Sequence, residues 1–141
     1  MKTAWHLPLP RALLQKFQSI TSDRPEARAI AFGAALPEIE NYPDSMLGGA
    51  WAWMNDVEDG KGALDAKTMQ LIGLAVAAQI PCQYCTHYHR AAALASGATE
   101  QEIAEAAAMA GYVRNWSAVL YGTGTDLEAY KTMVDGLFAG Q

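Results

Sequence analysis

Pro81-Cys82-Gln83-Tyr84-Cys85-Thr86-His87-Tyr88-His89-Arg90-Ala91-Ala92-Ala93-Leu94-Ala95-Ser96-Gly97 reads as one short helix with chemistry at its front end. Pro81 permits a break before it, since the ring removes a backbone donor. Gly97 closes the alanine-rich run by offering a left-handed position at no steric cost. The spacing predicts a helix over about 83–96. The only two cysteines of the chain, Cys82 and Cys85, fall inside this stretch, and His89 follows four positions after the second.

In a helix each residue advances about 100°, so Cys85 lies about 60° and His89 about 20° round from Cys82. Two thiols and an imidazole share one stripe, whereas His87 lies about 140° away. The i,i+4 step from Cys85 to His89 puts a base within reach of the sulfur, which raises the thiolate fraction. Cys82 is expected at or near the N-cap and Cys85 in the first turn. Free backbone N–H groups and the positive end of the dipole favour an anionic sulfur there. Cys85 should therefore be the more acidic thiol, with both the histidine and the helix start in its favour.

Other uses of a cysteine pair fit less well. A structural zinc site wants four ligands, usually as two separated pairs, and there is no second pair. Covalent haem attachment needs histidine directly after the second cysteine, and Thr86 stands there. A purely structural disulfide would close a tiny loop and remove little chain entropy. Catalytic or sensing use is the better account, with no metal and no cofactor expected.

The chain has 141 residues, 51% of them hydrophobic, enough to bury a core as a single domain without metals or structural disulfides. The net charge is -5 and no basic run occurs, which argues against nucleic acid and anionic membranes as partners. No apolar run approaches the ~20 residues of a membrane span. Residues 1–14 lack an unbroken apolar segment, being interrupted by His6, Pro8, Pro10 and Arg11. The expected setting is the reducing cytoplasm, where a vicinal dithiol is working chemistry.

Nearly every segment between turn signals has helical periodicity, and no run alternates β-branched residues, so the fold is predicted all-α. The expectation is a compact bundle of six to seven helices spanning 1–141 as one domain, with an N-terminal helical part (1–62) and a core bearing the cysteines (63–141). The predicted helices run from 11 to 20, from Ser22 or Asp23 to about 36, from Asp44 or Ser45 to a Gly60-Lys61-Gly62 turn, from 66 to about 79, over 83–96, from a Thr99/Glu102 capping box to about 121, and from a Thr125/Glu128 capping box to about 138. The 66–79 segment is apolar nearly all round, which predicts a central position. Ala104, Ala107, Ala108 and Gly111 are candidates for close helix approach. Trp51, Trp53, Trp116, Met46, Met54 and Met109 read as core and subunit interface. Gly122-Thr123-Gly124 reads as a turn between helices.

Three segments together carry a resemblance. They are Leu64 to Ala78 (LDAKTMQLIGLAVAA), the Cys82-x-x-Cys85-x-x-x-His89 pattern, and Gly97 to Ala106 (GATEQEIAEA). In their order of apolar helix, dithiol helix and capped helix they resemble the carboxymuconolactone decarboxylase superfamily, on its alkylhydroperoxidase D-like branch. The resemblance covers about half of the chain, from Leu64 to Gly111.

It implies an all-helical, homo-oligomeric enzyme, a trimer or hexamer, that reduces hydroperoxides as an antioxidant. By that resemblance Cys85 attacks the peroxide, Cys82 resolves the sulfenic acid as a disulfide, and His89 accepts and donates the proton. A thioredoxin-like or lipoyl-bearing protein would return the disulfide to dithiol. The superfamily also implies a lactone decarboxylase as an alternative. A non-enzymatic redox sensor is the third reading.

One position departs from the family pattern, which places a glutamate twelve residues before the first cysteine. Here it is Gln70. Its amide can hold the imidazole by a hydrogen bond but cannot carry a proton. Candidate replacement acids are Glu38, Glu40, Asp44, Asp56 and Glu58. Tyr84, between the cysteines, offers either a hydroxyl to the site or a packing face for a neighbouring subunit. His87 reads as a rim or interface residue.

Overall fold

In a computed structural model of the chain, Pro37, residues 41–58 and residues 62–140 are described. Among them are five helices and no strand: α1 (Asp44–Glu58), α2 (Ala66–Gln79), α3 (Gln83–Ala95), α4 (Glu100–Gly122) and α5 (Leu127–Phe138). The fold is all-α. The two further helices expected before residue 37 lie outside the described residues. The chain divides into two compact units, residues 1–57 and 58–141. In the first, Leu47 is buried, and the Asn55 amide donates back to the Trp51 carbonyl at 3.0 Å.

The second unit is built on sharply specified helix ends. Asp65 caps α2 by accepting from the Thr68 N–H at 2.7 Å. Cys82 caps α3, its sulfur accepting from the Cys85 N–H at 3.2 Å. Thr99 and Glu102 form the expected capping box of α4: the hydroxyl accepts from Glu102 N–H and the carboxylate accepts from Thr99 N–H. Glu102 also accepts from the Lys67 ammonium at 2.7 Å, tying the start of α4 to α2. Gly97, at φ 88, turns the chain between α3 and α4 in the left-handed conformation that only glycine adopts without strain. Arg90 and Glu100 bridge the same turn with two hydrogen bonds, at 2.7 and 2.8 Å.

α2 packs on both α3 and α4, the central place its composition predicts. The core lies where the three meet: Leu74 from α2, Ala93 from α3, Ala98 from the turn and Ile103 from α4, flanked by Leu71, Leu94 and Ala106. Ala93 is 0% exposed. An alanine there lets two helices close on each other with no side chain between them.

Three expectations change. The close approach of α4 uses Ala106 and Ala110; Ala104 and Ala108 are exposed, and Ala107 and Gly111 border a cleft toward the end of α2. The last helix is capped by Asp126, accepting from Ala129 N–H at 2.7 Å, because an aspartate one residue nearer the helix displaces Thr125 from the role. Thr125 instead bonds the Thr123 hydroxyl. Finally, Met46, Trp53, Met109 and Trp116 are exposed in the single chain, Trp53 by 73%, so of the expected core and subunit interface only an interface place is open to them. Apolarity dictates that a side chain seeks cover, but not which surface supplies it.

Candidate functional site

The cysteines that the sequence marks as candidates sit at the front end of α3. Cys82 and Cys85 are both partly buried and joined as a disulfide, with their Cα atoms 5.4 Å apart across the first turn. Cys82 is the N-cap, as its place after Pro81 predicts. The helix-start amide is delivered to the sulfur of Cys82, whereas Cys85, the donor of that N–H, has only the histidine one turn along. The two cues for thiolate formation are divided between the two cysteines.

His89 is seated by α2. Its Nδ1 is 2.8 Å from Oε1 of Gln70, which is only 4% exposed. An amide oxygen can only accept, so with that oxygen facing the ring Nδ1 carries the hydrogen. The lone pair, and with it the base, is on Nε2. One turn beyond Gln70 stands Gly73, where an added Cβ would lie 2.6 Å from Nδ1 and Cε1 of the ring. Only a residue without a side chain leaves room for the imidazole against α2. Burial holds the pKa of His89 below the ordinary imidazole value, and the charge of Glu58 partly opposes this. The ring is therefore a neutral base at pH 7.

A second contact reaches the same ring. The Tyr88 hydroxyl donates to Glu58 at the end of α1, and the Tyr88 and His89 rings meet edge to face, with centroids 5.3 Å apart. Of the acids proposed from sequence, Glu58 is the one whose charge bears on His89 among the described residues. Glu38, Glu40 and the Asp44 side chain lie outside the description, and Asp56 belongs to the first unit.

Sequence reasoning passed over Gly73 and Tyr88. The signal for Gly73 was present, since a lone glycine inside an apolar helix costs about 1 kcal/mol against alanine and asks for a packing reason. Tyr88 carried none, because its partner lies 30 residues away. Tyr84 is 80% exposed and His87 is exposed, so both stand on the rim.

Among the described residues no three His, Cys, Asp or Glu side chains converge to hold a metal ion, and no helix is long and apolar enough to cross a membrane. An open cleft of about 450 Å³ borders Pro81, Gln79, Ala107, Ala110 and Arg114. None of the cysteines, His89 or Gln70 lines it.

Comparison with known proteins bears on the family and the fold. The profile of the carboxymuconolactone decarboxylase family matches residues 37–124. The crystal structure of an alkylhydroperoxidase AhpD core from Rhodospirillum rubrum superposes with a TM-score of 0.71 at 27% identity, covering 92% of this chain and 97% of that one. A structural-genomics protein from Methanobacterium thermoautotrophicum superposes with a TM-score of 0.51 at 30% identity, over 61% of this chain and 94% of its own. No curated protein matches significantly. With a family profile spanning more than half of its length and an AhpD core as structural neighbour, the chain belongs to the carboxymuconolactone decarboxylase family, on the alkylhydroperoxidase D-like branch.

Proposed function

We propose that the protein reduces hydroperoxides by thiol chemistry at Cys85 and Cys82, with His89 as proton acceptor and donor. The observation that carries this reading is a vicinal cysteine pair at the start of a helix with an oriented, neutral imidazole one turn further on. In the reduced protein Nε2 of His89 takes the Cys85 proton. The thiolate attacks the terminal oxygen of ROOH. An S–O bond forms, the O–O bond breaks, and the departing alkoxide takes the proton back from the imidazolium to leave as ROH. The Cys82 thiolate then attacks the sulfenic sulfur of Cys85, hydroxide leaves and is protonated to water, and the disulfide closes. A dithiol partner, thioredoxin-like or lipoyl-bearing, reopens it by exchange, so that ROOH and two thiols yield ROH, water and the partner's disulfide.

The test is steady-state consumption of an organic hydroperoxide with a thioredoxin or a dihydrolipoyl protein as reductant. We expect one dithiol oxidised per hydroperoxide, and no turnover after alkylation of the cysteines. A single stoichiometric oxidation without turnover would point to a sensor. Lactone decarboxylation that survives alkylation would point to the other activity of the superfamily.

We further propose that the protein works as a homo-oligomer in a reducing cytoplasm. Met109, Tyr112, Val113 and Trp116 form one exposed stripe of α4 at i, i+3, i+4 and i+7, and α5 adds exposed Leu127, Met133, Leu137 and Phe138. Apolar helix faces of this extent are commonly covered by another subunit. Light scattering at micromolar concentration should give three or six times the 15.2 kDa chain mass. A monomer mass would rule this out.

A further inference from the structure

We propose that Glu58, held by the Tyr88 hydroxyl, is the carboxylate that sets the proton affinity of His89 in this chain, a positioning role divided from that of Gln70. This rests on the hydroperoxide reading and deepens it.

Each element packed around the imidazole presents different chemistry. From α2 come Gln70 and Gly73, neither titratable. From α3 itself come Cys85, one turn back, and Tyr88, edge-on to the ring. Glu58, the first residue of the second unit, presents a carboxylate that accepts the tyrosine hydroxyl. Gln70 therefore fixes which nitrogen carries the hydrogen and which way the ring faces, but adds no charge. A burial-depressed imidazole returns a proton readily and takes one poorly, and the chemistry above needs both. A negative charge near the ring restores the balance by stabilising the imidazolium. Glu58 supplies it, and its effect on His89 has that sign.

The arrangement also accounts for a glutamine at position 70. A carboxylate there, on a residue only 4% exposed, would be a second negative charge beside the same ring as Glu58. Two carboxylates competing for one imidazolium drive one of them toward protonation. Gln70 and Glu58 are thus complementary, the first neutral and in contact, the second charged and at one remove.

The test uses the reduced full-length protein and two readouts: the His89 pKa by NMR of the labelled imidazole, and the pH profile of hydroperoxide turnover. Glu58→Gln should lower the His89 pKa by about half a unit or more. The acidic limb of the rate profile should move to lower pH with it. Tyr88→Phe should move both in the same direction by less, since the charge remains and only its tether is lost. Restoring a carboxylate with Gln70→Glu in the Glu58→Gln protein should bring the His89 pKa back up. An unchanged His89 titration in folded Glu58→Gln overturns the assignment. Should that variant not fold, an unchanged titration in Glu58→Ala, which also removes the charge, does the same. The NMR titration needs no turnover. A protein that consumed no hydroperoxide yet showed the Glu58-dependent shift would lose the proposed activity and keep this assignment, and turnover without the shift would do the reverse.

Discussion

Cys85→Ser is expected to lower hydroperoxide turnover by about 10³-fold or more, to the background of the buffer, because the atom that forms the S–O bond is gone. Cys82→Ser is expected to complete one reduction and stop, leaving a sulfenic acid on Cys85 that a dimedone-type reagent traps. The structure makes this pair of experiments sharper than a simple loss of activity. Cys82 holds the helix-start amide, so it has its own claim to be the more acidic thiol. Acidity is not the whole requirement. The departing alkoxide needs a proton as the O–O bond breaks, and the imidazole that returns it sits one turn from Cys85. Proton delivery should therefore decide the assignment in favour of Cys85 even if Cys82 ionises first. A sulfenic acid found on Cys82 in the Cys85→Ser protein, with none on Cys85 in the converse variant, would show that thiol acidity decides instead.

Gly73→Ala should cost about 10²-fold in turnover while leaving thermal stability close to that of the parent. The new methyl group meets the His89 ring at 2.6 Å, and something has to move. One response separates α2 from α3, which disturbs the packing of Leu74 and Ala93 and costs about 1–3 kcal/mol as overpacking. The other swings His89 out, giving up its bond to Gln70, a net loss of about 1 kcal/mol. Alanine regains about 1 kcal/mol of helix propensity in either case. The second response is the cheaper one, so the ring leaves, the fold holds, and the base is displaced from the thiols. A misplaced catalytic group is worth about two orders of magnitude. Circular-dichroism melting beside steady-state assays separates the effects. Retained activity would show that the ring does not need its seat, and a large drop in melting temperature would show that the helices, not the histidine, gave way.

The parts of this molecule legible in its sequence are those fixed by residues close together along the chain. Asp65, Pro81, Gly97 and the Thr99/Glu102 pair act within four residues of themselves, and the bounds of α2, α3 and the start of α4 follow from them. The cysteines and His89 share a stripe by helical arithmetic alone. The link from Gln70 to His89 spans 19 residues and became readable only through the family resemblance. Glu58 was one acid among five in the sequence, and it took the packing of the chain to bring it to Tyr88. The exposed tryptophans mark the opposite limit. Trp53 and Trp116 announce that apolar surface needs covering, yet what covers it is a property of geometry that no spacing rule encodes.

On the proposed chemistry the sulfur of Cys82 is a redox centre as well as the cap of α3. A thiolate in that place is a strong acceptor for the Cys85 N–H and meets the positive end of the helix, whereas a disulfide sulfur is neutral and accepts weakly. Each turnover of the proposed cycle should therefore tighten and loosen the first turn of a helix whose far end is buried in the core. The backbone itself becomes a gauge of oxidation state: the amide of Cys85 exchanges its hydrogen with solvent more slowly when the pair is reduced and Cys82 is ionised, and faster when the bridge is closed.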